Sequence, residues 1–312
     1  MFDRSLAGKI EVRGPEGPDF LHNLSTNDIR GLPLGGGCEA FFCNERARTL
    51  FLTRIYRLKL GGRDTLWIDA ELNRGDALLK HLDRHLIAEQ VELLDRTSDF
   101  AQLYLAGPNA AAVLRKSLGE ETPALELHQH MERTFPQNLT AHIRRNDALG
   151  ITGYDIIVLA GRRDVLLQSL NGAGAIMATD DDWSILRIEA GHPEYSRDYD
   201  ENRFVIELGR TNAISYTKGC YLGQEPIVMA RDRAGFVARR FCGLRASSSI
   251  AGLPAKLFSS DEVGIVTSTG ESPRLGPIGL GYLRRGFEEP GRLVHVGSPE
   301  GPSATVSALP MR

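Results

Sequence analysis

The chain has 312 residues, a net charge of −3 at pH 7, and a composition that is 42% hydrophobic and 25% charged. This length exceeds what one hydrophobic core usually serves, so we expect two or three domains of ordinary globular type. The small negative charge argues against non-specific binding of nucleic acid through a basic face.

The sequence predicts neither a targeting signal nor a membrane span. Residues 1–10 contain Asp3 and no apolar run, which suits neither a secretory signal nor a transit peptide. No stretch approaches the roughly 18 consecutive apolar residues of a membrane-spanning helix. We therefore expect a protein of the bacterial cytoplasm that has no membrane partner.

The cysteine pattern indicates free thiols. The first two cysteines are five residues apart, which fits neither a C-x2-C zinc site nor a redox C-x-x-C motif. A chain of this size needs no disulfides, so we expect reduced thiols and no metal site. The four cysteines are Cys38, Cys43, Cys220 and Cys242.

Hydrophobic periodicity and turn residues predict alternating strands and helices over the first 190 residues. Residues 120–137 are expected to be a surface connection between two of these elements. The predicted strands span residues 8–13, 39–43, 49–60, 64–70, 91–94, 100–106, 140–145 and 153–160. The predicted helices span residues 19–28, 72–88, 107–118, 164–170 and 183–190.

Two histidines on the predicted helix 72–88 have the spacing of metal ligands. His81 and His85 lie four residues apart and therefore share one helix face. No glutamate follows His81 as in the H-E-x-x-H motif, and the segment is otherwise charged. We favour solvated histidines over a metal site.

The pattern changes after residue 238 to short strands separated by glycine, proline and serine. These strands are predicted at residues 240–245, 262–269, 276–283 and 292–297. Several short strands at this spacing favour a small antiparallel barrel. We therefore expect a larger region at residues 1–238 and a barrel domain at residues 239–312.

One cysteine lies in an unusual setting, the segment Lys-Gly-Cys-Tyr-Leu-Gly-Gln-Glu from Lys218 to Glu225. A lysine nearby and the amides of a glycine-rich turn would favour the thiolate of Cys220. Such a thiol could be a nucleophile, a redox sensor or a soft ligand for iron. The alternative is a buried, inert thiol, which we favour for Cys38, Cys43 and Cys242.

This eight-residue segment resembles the signature of the YgfZ-type folate-binding proteins, which are relatives of the glycine cleavage T-protein (aminomethyltransferase). Leu186 to Gly191 is similar to the Leu-Arg-x-Glu-Ala-Gly motif of the same superfamily, and Thr26 to Asp28 to its Thr-Asn-Asp. The resemblance covers residues 17 to 286 approximately. It implies an α+β, T-protein-like architecture of three lobes: two interleaved α/β lobes and a C-terminal antiparallel β-barrel around a central folate pocket.

The resemblance also implies residues that would bind tetrahydrofolate. Glu189 would hydrogen-bond the pterin, unless a helix terminus or Arg187 satisfies it, and Arg231 would hold the glutamate tail, unless it pairs with Glu225 or Asp232. Tyr104 is a candidate for stacking, although a tyrosine on a strand is commonly half-buried core. The remaining folate-binding candidates are Asn27, Lys218, Gln224 and Glu225. Thr26 to Asp28 could equally be a structural cap, because Asn and Asp side chains bond neighbouring backbone amides.

The chain departs from the T-protein at one place that bears on chemistry. A segment like Asn44 to Leu50 continues in aminomethyltransferases into paired aspartates, one of which acts in methylene transfer at N10 of folate. Here those positions hold Phe51 and Leu52, which accept no proton. The substitution argues against ordinary aminomethyl transfer and leaves open whether the protein is an enzyme.

The resemblance therefore implies a folate-binding accessory protein that supports the synthesis or repair of iron–sulfur enzymes, including a tRNA-modifying one, with Cys220 as the functional thiol. Its expected partners are folate and iron–sulfur enzymes or assembly factors, and we expect a monomer. Two alternatives remain: a folate-dependent one-carbon transferase or demethylase that uses other acids, and a scaffold whose pocket is vestigial.

Overall fold

The computed structural model describes residues 1–121, 123–234 and 237–311. Residues 7–95 form a lobe built on one antiparallel sheet, whose strand order is β3-β4-β5-β2-β6. Helices α1 and α2 cover its outer face, on which Ile10, Ile55 and Ile68 are buried. The elements of this stretch are β1 (Phe2–Asp3), β2 (Ala7–Arg13), α1 (Gly17–Leu24), β3 (Gly37–Cys43), β4 (Thr49–Leu60), β5 (Arg63–Leu72), α2 (Gly75–Asp83) and β6 (Glu92–Asp95).

Helix α2 is shorter than the predicted helix over 72–88. Strand β5 runs on to Leu72, and Asn73 takes a φ of 59°, a left-handed conformation that separates the strand from the helix. The prediction that both histidines are solvated was wrong for His81, which is buried against the rings of Phe42 and Phe51. Burial lowers the pKa of His81 to about 4, so its imidazole is neutral at pH 7.

The second lobe is built on a sheet of order β1-β7-β10-β9-β8, with α3 and α4 on its outer face. Because β1 comes from the start of the chain, the two lobes are interleaved. Strand β8 corrects the prediction of a surface connection over 120–137: it is a polar edge strand that pairs only with β9. The elements are β7 (Phe100–Ala106), α3 (Ala110–Leu118), β8 (His130–Phe135), β9 (Leu139–Arg145), β10 (Gly153–Leu159) and α4 (Arg163–Ala173).

A connecting region then leads to the barrel. It contains α5 (Asp180–Ala190), 3-10 turns at Val205–Leu208 and Thr211–Ala213, α6 (Gln224–Met229) and a π turn at Ala230–Ala234. Thr179 and Asp182 form a capping box at the start of α5, where negative charge also favours the helix dipole. Ile188 of α5 packs on the barrel residues Phe241 and Tyr282, so this helix joins the barrel to the rest of the molecule.

The C-terminal strands close into a six-stranded antiparallel barrel of order β11-β14-β13-β12-β15-β16. The predicted architecture of two interleaved α/β lobes and a barrel is confirmed. Two strands of four and five residues, β12 and β16, were not predicted. The first barrel strand begins at Arg239, and the domain boundary after residue 238 stays a prediction. The strands are β11 (Arg239–Ala246), β12 (Ala255–Phe258), β13 (Glu262–Ser272), β14 (Gly276–Arg284), β15 (Leu293–Val296) and β16 (Ser303–Ser307).

The inner faces of the two sheets meet over a layer of polar and charged side chains, which we call the polar seam. Arg144 of β9 reaches across it and bonds both carboxylate oxygens of Asp69 on β5 at 2.8 Å. No helix of the described ranges is long and apolar enough to cross a membrane. The residues of the polar seam are Glu39, Arg54, Asp69, Glu71, Gln102, Tyr104, Arg144 and Asp155.

Candidate functional site

Three neighbouring cavities lie where the lobes and the barrel meet. The outer cavity, of about 610 Å³, and a bridging pocket of about 270 Å³ share Asp147, Gly209 and Arg210 in their linings. The inner cavity, of about 50 Å³, shares Glu39 and Arg54 with the bridging pocket. Ala148 lines all three. The three cavities are therefore adjacent, and the bridging pocket lies between the outer cavity and the polar seam.

The outer cavity combines an apolar surface with positive charge. Leu208 and Phe241 contribute apolar surface, and Arg210, Arg231 and Arg240 contribute the guanidinium groups. Its volume lies in the range of cavities that hold cofactor-sized organic molecules. Such a lining suits a ligand that has a flat apolar part and an anionic part.

Two of these arginines have acidic partners. Arg210 bonds the two carboxylate oxygens of Glu39 at 2.7 and 2.9 Å. Burial alone would raise the pKa of Glu39, but the Arg210 guanidinium holds that pKa below its usual value. Arg231 bonds its neighbour Asp232 at 2.5 and 3.0 Å, and its guanidinium lies 5.0 Å from the ring centroid of Tyr216. Arg231 is exposed, so this pair can exchange for a ligand anion at little cost.

The inner cavity is lined mainly by charged and polar groups of the seam. Asp155 accepts from Gln102 at 2.7 Å and from Asn146 at 2.6 Å, and burial raises its pKa above the usual value. Burial also raises the pKa of Glu71 to about 7, although the Tyr199 hydroxyl donates to it. Two carboxyl groups of this cavity therefore hold protons more tightly than carboxyls in water do.

The segment Lys218–Glu225, which we call the motif loop, lies against helix α1. The ammonium group of Lys218 donates to the carbonyls of His22, Ser25 (2.7 Å) and Asn27 (2.9 Å), at and beyond the C-terminal end of α1. A cation suits this end of a helix, whose last carbonyls lack partners in the helix itself. Burial lowers the pKa of Lys218 to about 8, so most of its population stays charged at pH 7.

The motif loop also requires one of its glycines. Gly223 has a φ of 79°, and a Cβ at this position would lie 2.4 Å from the carbonyl oxygen of Asn44. The thiol of Cys43 donates to the carbonyl of Leu222 at 3.2 Å, and burial raises its pKa to about 12. In contrast, the side chain of Cys220 is exposed, and it has no hydrogen bond to the part of the chain that the structure describes.

The cavities bring together only two of the eight predicted site residues. Arg231 lines the outer cavity and Tyr104 the inner one, where the hydroxyl of Tyr104 donates to the carbonyl of Asn146 at 2.9 Å. Glu189 accepts hydrogen bonds from the Ser272 hydroxyl at 2.5 Å and from Arg274 at 2.9 Å. The next residue, Ala190, lines the outer cavity. The sequence left open that Glu189 pairs with Arg187, and the structure does not contain this pair.

The other predicted site residues lie outside these cavities. The amide of Asn27 donates to the carbonyls of Glu39 at 2.8 Å and Asn212 at 2.9 Å. Gln224 reaches the carbonyl of Gly219 at 3.5 Å, and Glu225 is exposed. Lys218 and Cys220 occupy the motif loop as described. The described residues contain no group of His, Cys, Asp and Glu side chains that could hold a metal ion.

The sequence interpretation missed most residues that line the inner cavity, including Arg4, Arg54, Glu71 and Asp155. A signal was present on the strands. Charged residues recur at every second position among apolar ones, as in Asp69-Ala70-Glu71, which places them on one face of a sheet. The sequence shows the alternation, but it does not show that another sheet faces these charges.

The two positions that hold aspartates in the resemblance are apolar and buried here. Phe51 lies 4.5 Å from the guanidinium of Arg74 and packs against His81. Leu52 lines the inner cavity. At this point the cavity wall therefore offers a hydrocarbon surface and no proton acceptor.

Comparison with known proteins agrees with this architecture. The model of the GCVT N-terminal domain matches residues 1–218, and that of the glycine cleavage T-protein C-terminal barrel domain matches residues 217–311. An aminomethyltransferase of Rubrobacter xylanophilus is 30% identical over 288 residues, covering 91% of this chain and 75% of its own. A chloroplastic protein of Arabidopsis thaliana, provisionally named a transferase, is 28% identical over 310 residues, covering 99% of this chain and 70% of its own.

A solved structure shares the fold. The glycine cleavage system aminomethyltransferase T of Bartonella henselae superposes with a TM-score of 0.87 at 24% identity, covering 99% of this chain and 85% of its own. The family matches together span the two interleaved lobes, the connecting region and the barrel. The chain therefore belongs to the glycine cleavage T-protein family.

Proposed function

We propose that this chain is a YgfZ-type tetrahydrofolate-binding accessory protein that supports the assembly or repair of iron–sulfur enzymes, including tRNA-modifying ones. The observation that carries the folate part is the outer cavity, of about 610 Å³, lined by apolar residues and by Arg231 and Arg240. The ring system of a folate matches the apolar surface, and its glutamate carboxylates match the guanidinium groups. The protein would act in the cytoplasm as a monomer.

The buried positions 51 and 52 favour an accessory role over aminomethyl transfer. Phe51 and Leu52 stand where the resemblance places paired aspartates, and Leu52 faces the inner cavity. A hydrocarbon side chain neither accepts a proton nor stabilises an iminium charge. A bound folate would therefore lack the acid that methylene transfer at N10 uses in aminomethyltransferases.

The exposure of Cys220 supports its role as the functional thiol. It is the exposed one among the four cysteines, and it lies on the motif loop outside the cavities. The thiol is therefore accessible to a partner protein rather than to a ligand in the cavities. An exposed thiol on a loop held by Lys218 suits contact with an iron–sulfur enzyme or an assembly factor.

The folate proposal is tested by calorimetric titration of the reduced protein with tetrahydrofolate under exclusion of oxygen. Thr211→Trp places a large ring in the wall of the outer cavity, and we expect it to weaken binding at least about tenfold. The matched control is Thr217→Trp, which changes another exposed threonine of the same region outside the cavities and should bind like the wild type. Wild-type protein that binds no tetrahydrofolate would overturn the proposal.

Two further variants test the residues that the resemblance implies. We expect Arg231→Gln to weaken binding of tetrahydrofolate by removing a cation from the outer cavity. Glu189→Ala tests whether this carboxylate leaves Ser272 and Arg274 to contact the pterin. Unchanged affinity in Glu189→Ala would remove the pterin contact while leaving the cavity itself in place.

One observation favours a second candidate, a folate-dependent one-carbon transferase or demethylase. Glu71 and Asp155 line the inner cavity together with Leu52, and both have a raised pKa because they are buried. Either carboxyl could act as a general acid or base in place of the missing aspartates. Turnover of an N-methylated amine with tetrahydrofolate, lost in Asp155→Asn, would favour this candidate. Absence of turnover would remove it.

A further inference from the structure

Two arginines line the inner cavity without a hydrogen-bonded acid among the residues that the structure describes. Neither Arg4 nor Arg54 makes a side-chain hydrogen bond or an ion pair with the described part of the chain. The guanidinium of Arg4 lies 4.0 Å over the ring of Trp183, and the buried Nε of Arg54 has no acceptor. Both arginines are half-buried, and although burial by itself would lower the pKa of Arg54, the nearby Glu39 and Asp155 raise it. What the two side chains lack is therefore a hydrogen-bond acceptor for the guanidinium group.

The lack of a partner for Arg54 follows from how the neighbouring carboxylates are used. Arg54 lies in cross-strand register between Glu39 and Asp69, where side chains on one face are close enough to interact. Both oxygens of Glu39 are bonded by Arg210, and both oxygens of Asp69 are bonded by Arg144. The two carboxylates nearest in register are thus committed to other cations.

The remaining acids of the inner cavity accept no hydrogen bond from either arginine. Both oxygens of Asp155 accept from side-chain amides, and burial raises its pKa. Glu71 accepts from the Tyr199 hydroxyl and from the backbone amide of Tyr195. His192 adds no negative charge, and its Nδ1 is buried without a hydrogen-bond partner. The cavity therefore has guanidinium donors that none of its carboxyl groups accepts, together with one unpartnered acceptor, the Oε1 of Gln102.

The size and shape of the cavity restrict the ligand. Its volume of about 50 Å³ holds only a few non-hydrogen atoms. A planar carboxylate matches the fork of a guanidinium group through two parallel hydrogen bonds. Leu52, Ala70 and Ala148 leave apolar wall for a hydrogen or a methyl group beside the carboxylate.

We propose that the inner cavity binds a small monocarboxylate anion of the formate or acetate class, held between Arg4 and Arg54. The bridging pocket shares lining residues with this cavity and with the outer one, so the anion would lie near the ligand proposed for the outer cavity. The inference goes beyond the proposed function and does not depend on it, because the site is complete without folate.

The test is titration of the folate-free, full-length protein with formate and with acetate, followed by saturation-transfer NMR and by calorimetry. The upper limit of affinity per non-hydrogen atom sets the lowest Kd at about 0.5 mM for formate and about 0.04 mM for acetate. A half-buried site should fall short of this limit, so we expect saturable binding in the millimolar range. We expect binding to fall at least about tenfold in Arg54→Gln and in Arg4→Gln. Arg54→Lys keeps the charge but loses the fork and should bind with intermediate affinity.

The matched control is Arg63→Gln, which removes an exposed arginine outside the inner cavity and should bind formate like the wild type. Wild-type protein that shows no saturable binding of either anion up to about 50 mM would overturn the proposal, whatever the folding of the variants. An equal loss of affinity in Arg63→Gln and Arg54→Gln would also overturn the proposal, because the affinity for the anion would then depend only on the net charge of the protein. Because no folate is present, failure here leaves the folate proposal untouched.

Discussion

The motif loop and the polar seam differ in how visible they are in the sequence and in what they do in the fold. The motif loop is eight consecutive residues, and most of its fixed contacts are structural: Lys218 holds the end of α1, and Gly223 lies close to Asn44. The polar seam is assembled from side chains on strands of two sheets and lines the inner cavity. The segment that best reveals the family is therefore separate from the cavities, which residues scattered along the chain form.

The two regions also use charge in different ways. Lys218 is one cation held by three carbonyls at a helix end, with its charge partly screened by solvent. Arg144 and Asp69 form an ion pair that is almost completely buried between two sheets. A buried pair depends on both partners, because removal of one leaves the other charge desolvated and uncompensated. The comparison therefore predicts unequal effects of substitution.

The largest effect is expected in the seam, for Asp69→Asn. This change leaves Arg144, which is inaccessible to solvent, without its anion and weakens the acceptor of the Trp67 indole. We expect a loss of about 3–5 kcal/mol in the free energy of unfolding, measured by urea denaturation. The control Asp64→Asn breaks the exposed pair with Arg57 and should cost at most about 1 kcal/mol. Similar losses in both variants would contradict the distinction.

A smaller effect is expected in the motif loop, for Lys218→Met. The change removes three charge-assisted hydrogen bonds at the end of α1, and water replaces part of them. We expect a loss of about 2 kcal/mol in the free energy of unfolding, with faster hydrogen exchange in α1 and little change elsewhere. Lys256→Met, which breaks an exposed pair with Glu262, is the control and should cost less than about 1 kcal/mol. Unchanged exchange in α1 would show that Lys218 does not hold it.

The seam should also give stability an unusual pH dependence through Glu71. Burial raises the pKa of Glu71 from 4.5 to about 7, so the folded state binds this proton more tightly than the unfolded state. The contribution of Glu71 to the free energy of unfolding is therefore complete below pH 4.5 and is lost as the pH rises from 4.5 to 7. Glu71→Gln removes the titration.

As the pH rises from 4 to 8, we expect the free energy of unfolding of Glu71→Gln to increase by about 1–2 kcal/mol relative to that of the wild type. The value is this small because Glu71 is only partly buried by surface area. Urea denaturation at a series of pH values measures this difference. The control is Glu225→Gln, which removes an exposed carboxyl of the motif loop, leaves Glu71 in place and should therefore keep the loss of stability that Glu71 causes as the pH rises. A difference between Glu71→Gln and the wild type that stays constant with pH would contradict a raised pKa at this position.

The sequence predicted the local structure better than it predicted the site. The strands expected at residues 49–60 and 100–106 coincide with β4 and β7, because long alternating patterns identify strands well. Strands β8, β12 and β16 were missed, since short or polar edge strands carry little periodic signal.

The site was harder because its contacts join distant parts of the chain. Residues 69 and 144 are 75 positions apart. Arg54 lacks a hydrogen-bonding carboxylate because Arg144 and Arg210 bond the carboxylates beside it. Neither fact follows from the residues near any one of them. The resemblance supplied the architecture, while the charges in the inner cavity became apparent only when the two sheets faced each other.

The smallest effect on stability is expected at the exposed end of the motif loop, for Cys220→Ser. This side chain is exposed, so we expect the free energy of unfolding to change by less than about 0.5 kcal/mol. The same substitution should abolish rapid alkylation of the native protein, because burial raises the pKa values of the three other thiols, Cys38, Cys43 and Cys242, to about 12 and keeps them protonated. Urea denaturation measures the first point, and mass spectrometry after a short exposure to iodoacetamide measures the second. A wild-type protein modified first at Cys43 or Cys242 would mean that the loop or the barrel opens, and the thiol proposed to meet a partner would no longer be distinguished by its exposure.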